Sequence, residues 1–101
     1  MKLIRENIAK RIAQEDPQLV TQVCNKEEYL TFLKLKLSEE LSELKETNYS
    51  DLSEYADVLE VLETLAEQNG LSFNKIIEAK NKKLHQEGDL RLGLIFKNNQ
   101  K

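Results

Sequence analysis

Glycine and proline are scarce in this chain of 101 residues, with three and one respectively. That scarcity weighs against a turn-rich β fold and favours long helices. Cysteine occurs once, at Cys24, which excludes an internal disulfide and any multi-cysteine zinc site and fits a reducing cytoplasm. Histidine also occurs once, at His85, near a helix end where a surface dipole partner is its ordinary role. No apolar run approaches the roughly 20 residues that a bilayer span needs. The opening "MKLIRENIAKRI" is too charged for the apolar region of a signal peptide. No glycine-rich phosphate loop is present. Net charge is −3 and no basic stripe dominates, so the phosphate contacts of nucleic-acid binding have no support. The expectation is a cytoplasmic protein with neither a membrane nor a nucleic acid as partner.

Hydrophobic residues make up 40% and charged residues 33%, enough for the modest core of one small domain. A helical chain of this size commonly completes its core by pairing with a second copy. Leu3, Ile4, Ile8 and Ile12 recur at helical spacing, predicting a first helix over 2–15 that Pro17 stops. Residues 18–24, "QLVTQVC", read as a linker. Asn25 can cap a second helix to about Glu46, with Glu27 and Glu28 at its positive end. "TNYS" is a short break. Asp51 and Glu54 match a capping box opening a third helix, which ends near Gln68 at "NG". Ser72 can cap a fourth helix that Gly88 ends. "LRLGLIF" alternates enough for a short strand or an extended packing segment. The fold class is therefore all-α: a four-helix bundle-like domain over 1–96, with a short extended C-terminal segment, completed by oligomerisation. A polar tail, 97–101, follows.

The acidic residues are oddly placed. Turned at about 100° per residue, Leu30, Leu33, Leu37, Leu41 and Leu44 fall in one stripe, with Glu40 roughly 60° from its centre and Glu43 roughly 120°. Read instead as a heptad, Leu30, Leu33, Leu37 and Leu44 take core slots and Glu40 occupies the slot between them. On the third helix Glu54 shares a line with Val58, Val61 and Leu65, and Asp57 sits at its edge. The short break makes the two helices antiparallel neighbours, so Glu40 and Glu43 can approach Glu54 and Asp57. Clustered, partly desolvated carboxylates repel one another, and either protonation or a hard cation relieves them. Mg²⁺ or Mn²⁺ takes carboxylate oxygens and shares its other positions with water or phosphate. A metal-dependent site for a phosphorylated ligand is the sharper reading. The plainer one is a solvated face, with Glu54 completing a cap and Glu43 paired with a lysine.

The same residues carry a resemblance. "EEYLTFLKLKLSEELSEL" followed by "SEYADVLEVLETLAEQNG" resembles the all-α nucleoside triphosphate pyrophosphatases of the MazG type, and more closely their phosphoribosyl-ATP pyrophosphohydrolase-like branch. That family's pattern, K-L-x-E-E-x-x-E then E-x-x-D-V-L-E, is matched by Lys36-Leu37, Glu39-Glu40, Glu43, then Glu54 and Asp57-Val58-Leu59-Glu60. The opening is similar to the branch's K-L-V-R-D-K, with Lys2, Leu3 and Arg5 aligned and Glu6 and Asn7 departing. The likeness spans residues 2 to about 85. It implies metal ligands at Glu40, Glu43, Glu54 and Asp57, and Mg²⁺ (or Mn²⁺) as cofactor. It also implies a nucleotide substrate, cleaved between the α and β phosphates to monophosphate and pyrophosphate. Glu39 or Glu43 would hold the attacking water. Lys36, matching the motif lysine, with Arg5, Lys80 and Lys83, are candidates for the triphosphate. The resemblance also implies assembly as a homodimer or higher. The turn "HQEGDLRLG" keeps Gly88 but lacks the second glycine and the phenylalanine common in that branch, and Arg91 can supply a charge there. Two other readings stay open: a phosphoribosyl-ATP pyrophosphohydrolase, and a non-catalytic helical module that binds partners through its leucine faces.

Overall fold

Runs of leucine, glutamate and lysine without glycine or proline favour helix at nearly every position. In the computed structural model they form four helices among the described residues, 1–18 and 21–97, and no strand. These are α1 (Glu6–Glu15), α2 (Lys26–Glu46), α3 (Leu52–Gln68) and α4 (Phe73–Glu87). None of them is long and apolar enough to cross a membrane. The chain falls into two compact units, Met1–Gly70 and Leu71–Lys101.

In the first unit α2 packs against α3. Asn25 caps α2 with a complete capping box: its Oδ1 accepts from Glu28 N–H at 2.8 Å, and Glu28 Oε1 accepts from Asn25 N–H at 3.1 Å. Both bonds satisfy donors that helix geometry leaves orphaned. At the other end Leu44 O accepts from Tyr49 N–H at 3.0 Å and Lys45 O from Asn48 N–H at 2.9 Å. This is a Schellman turn, and it puts Asn48 and Tyr49 at φ 57° and 61°. Tyr55 Oη donates to Tyr49 O at 2.9 Å, tying the start of α3 to the turn. The chain reverses within five residues, so α2 and α3 run antiparallel.

The core between them is small. Leu33, Leu44, Val61 and Ala66 are its buried apolar residues, with Leu30, Leu37, Val58 and Leu65 half-buried around them. One charged residue lies among them: Glu40, at 5% exposure.

Several local expectations need correction. Helix α1 starts at Glu6, not residue 2, because Arg5 is extended (φ −71°, ψ 150°). Leu41, placed in the apolar stripe, is exposed, whereas Glu40 beside it is buried. Asp51 caps α3 through Ser53 N–H at 2.8 Å, but Glu54 does not return the bond, so there is no capping box. Ser72 precedes α4 without a side-chain cap. The expected linker at 18–24 includes Leu19 and Val20, and the expected tail includes 98–101, which lie outside the described residues.

In the second unit α4 ends at Gly88, whose φ of 85° suits a residue without a Cβ. The segment "LRLGLIF" forms no strand, and Leu90, Leu92, Leu94, Ile95 and Phe96 are exposed.

Candidate metal centre

The 3-4-3-4 spacing of positions 30, 33, 37, 40 and 44 puts Glu40 in line with the leucines that face α3. Its neighbours along α2, Glu39 and Glu43, sit at the half-buried border. On α3, Glu54 and Asp57 occupy the first two turns, on the line that continues through Val58 and Val61. The antiparallel pairing brings these two helix segments together.

Two carboxylate groups result, and they share Glu40. In one, Glu39, Glu40 and Glu43 each offer an oxygen, all within 4.8 Å of one another. In the other, Glu40, Glu54 and Asp57 do the same across the two helices. Glu40 Oε2 and Glu54 Oε2 are buried with no hydrogen-bond partner among the described residues. A buried carboxylate oxygen left unpaired is costly. Burial first, and then the hydrogen bond and charge of Glu43, raise the Glu40 carboxyl above the ordinary glutamate range, with Lys36 opposing. Glu54 is raised as well, by desolvation first and then by the charges of Asp57, Glu40, Asp51 and Glu46.

The donor set fits a hard divalent cation. It is all carboxylate oxygen, and oxygens bound at about 2.1 Å around an octahedral ion lie about 3 to 4.2 Å apart. The orphaned Oε2 atoms are donors with no other use.

Cations of the chain itself ring the cluster. Lys36 Nζ stands 3.4 Å from Glu40 Oε1 and 3.6 Å from Glu39 Oε1. Lys2 Nζ is 3.7 Å from Glu39 Oε1. Arg5 donates to Asp57 Oδ1 at 2.7 Å and also pairs with Glu60. Thus Lys36 and Arg5, expected at the triphosphate, rest on carboxylates. The role of Glu60 went unassigned in the sequence, although it lies one turn beyond Asp57 on the same face. Lys80 and Lys83 belong to the second unit, where with Glu87, Gly88, Asp89 and Arg91 they line a shallow hollow. Arg91 is engaged there by Asp89, at 3.1 Å.

No family model, curated protein or solved structure matches the chain.

Proposed function

We propose that the α2–α3 pair is the divalent-cation site of a nucleoside triphosphate pyrophosphohydrolase that cleaves between the α and β phosphates. The observation that carries the cation site is the buried, unpartnered Oε2 of Glu40, set among the carboxylates of Glu54 and Asp57. The reaction class rests on the resemblance of the two acidic motifs to the MazG type. Glu40, Glu43, Glu54 and Asp57 are the proposed ligands. Mg²⁺ or Mn²⁺ bound there would neutralise phosphate charge and acidify water. Sharing of Glu40 by both carboxylate groups leaves room for a second ion held by Glu39 and Glu43.

The contacts support a choice between the two candidate bases. Glu43 makes no ion pair among the described residues, whereas Glu39 is paired with Lys36 and Lys2. Glu43 is therefore the better of the two for holding a water and taking its proton. Attack of that water on the α phosphorus breaks the bond to the bridging oxygen, which leaves with the β and γ phosphates as pyrophosphate. Lys36, beside Glu39 and Glu40 at the cluster's edge, would be the first cation of the chain to meet a phosphate there. The test is pyrophosphate release from a nucleotide panel with Mg²⁺, alongside phosphoribosyl-ATP. Folded protein that turns over none of them overturns the enzymatic reading.

A second reading is favoured by the other face of α3. Leu52, Tyr55, Leu59 and Leu62 recur at helical spacing and are exposed at 85%, 50%, 52% and 43%. A stripe of that kind suits a helical partner. We assign it to a second copy of the chain, completing the bundle as a homodimer. A purely structural helical module would keep this stripe but would gain no stability from Mg²⁺.

A further inference from the structure

Lys2 and Arg5 reach the acidic cluster from one short stretch of chain. Residues 1–5 precede α1 and carry no regular structure. Lys2 meets Glu39 on α2, and Arg5 meets Asp57 on α3, so the stretch spans both helices. Both partners belong to the two carboxylate groups that share Glu40. The side chains of Lys2 and Arg5 nevertheless remain 66% and 56% exposed. Exposed ion pairs are held weakly and exchange with solvent ions. Leu3 is the only half-buried residue of the stretch, so little apolar contact opposes its lifting. Lys36 differs, because α2 itself fixes its place beside Glu40.

We propose that Lys2–Arg5 is a cationic strap that competes with a divalent cation for this cluster. The inference rests on reading the cluster as a cation site. Asp57 cannot serve a divalent ion and the Arg5 guanidinium equally: the two positive centres repel across one carboxylate. Glu60 gives Arg5 a second partner on the next turn, outside both carboxylate groups. When an ion takes Asp57, Arg5 falls back on Glu60, and a second ion at Glu39 frees Lys2. The stretch thereby sets the cation concentration at which the site fills.

The test is calorimetric titration of the full chain with Mn²⁺ at low salt. Arg5→Gln tightens Mn²⁺ binding about fivefold, the scale of one unit charge near a divalent ion at water-like screening. Lys2→Gln, which removes a single exposed contact, acts in the same direction by less, and Arg5→Lys stays near wild type. The gain from Arg5→Gln shrinks at about 0.5 M salt. In hydrogen exchange, Mn²⁺ raises the exchange of the Ala9 amide of wild type, which donates to Arg5 O. Equal or weaker Mn²⁺ binding by both Gln variants overturns the strap while leaving the cation site intact. A wild type that takes up no Mn²⁺ overturns the cation site and the strap with it.

Discussion

Glu40 on α2 and Glu54 on α3 bring carboxylate oxygens within 4.8 Å of one another, and each keeps its Oε2 buried without a hydrogen-bond partner among the described residues. A solvated acidic face does not have this property, because water satisfies its oxygens. Nor does capping explain it, since Asp51 alone caps α3. Lys36 meets only Oε1 of Glu40. The helix pair thus holds like charges together where leucines would pack better, and it makes sense if a cation completes the set.

Replacing Glu40 by Gln removes a buried charge while keeping its shape. Without divalent ions the variant is therefore more stable, by about 1 kcal/mol, or several degrees in Tm. With millimolar Mg²⁺ the order reverses: wild type gains stability by mass action and Glu40→Gln gains little. Thermal melts of both proteins with and without Mg²⁺, backed by EDTA controls, check this. A variant less stable than wild type in EDTA would show that Glu40 is already compensated.

Acidification provides a second reading of the same cluster. Glu40 and Glu54 titrate above the ordinary glutamate value when folded. Between that ordinary value, 4.5, and the raised one, the folded state binds more protons than the unfolded chain. Their contribution to stability is therefore full below the ordinary value and is lost as pH rises through the raised one. The Glu40→Gln, Glu54→Gln double variant lacks this term. Its stability relative to wild type should grow as pH rises from about 4 towards neutrality, in EDTA. Urea melts across that range measure the difference, and a pH-independent gap rules out the raised titration.

The turn after α2 is a backbone prediction, independent of the acids. Asn48 occupies the left-handed position of the Schellman turn, at φ 57°, a region Asn and Gly tolerate. Asn48→Gly is near neutral. Asn48→Val forces a branched side chain into that region and costs about 1–2 kcal/mol. Because this turn sets the pairing of α2 with α3, the valine variant also weakens Mn²⁺ binding. Urea unfolding midpoints and a Mn²⁺ titration of the two variants decide it.

Helix positions were largely legible in the sequence, because caps and breakers act locally. Asn25, Asp51 and Gly88 mark the ends where they stand. The inward line of α3, with Glu54, Val58, Val61 and Leu65, was legible too. Leu41 was misplaced because a wheel at 100° per residue blurs over a long helix, whereas paired helices bury residues at the 3.5-residue period of the heptad. That period selects Glu40. The start of α1 was misread because Leu3 and Ile4 fit its apolar spacing, but the ion pairs of Arg5 are tertiary contacts that no local pattern encodes. The exposure of "LRLGLIF" is likewise invisible to alternation, which registers a pattern without what it packs on.

Leu59 lies in the middle of the exposed stripe on α3, one turn beyond Tyr55 and before Leu62. If a second copy covers the stripe, a lysine at this position buries a charge at the interface and blocks association. Within one chain the same side chain faces solvent, so Leu59→Lys changes the fold of the helix pair by no more than about 0.5 kcal/mol. Light scattering should then show wild type at the mass of a dimer or higher and Leu59→Lys as a monomer with unchanged helical circular dichroism. Val61→Lys, at a buried position of the same helix, is the contrasting control: it unfolds the α2–α3 pair itself. A wild type that is monomeric at micromolar concentration would leave the stripe without its second copy and overturn the dimer.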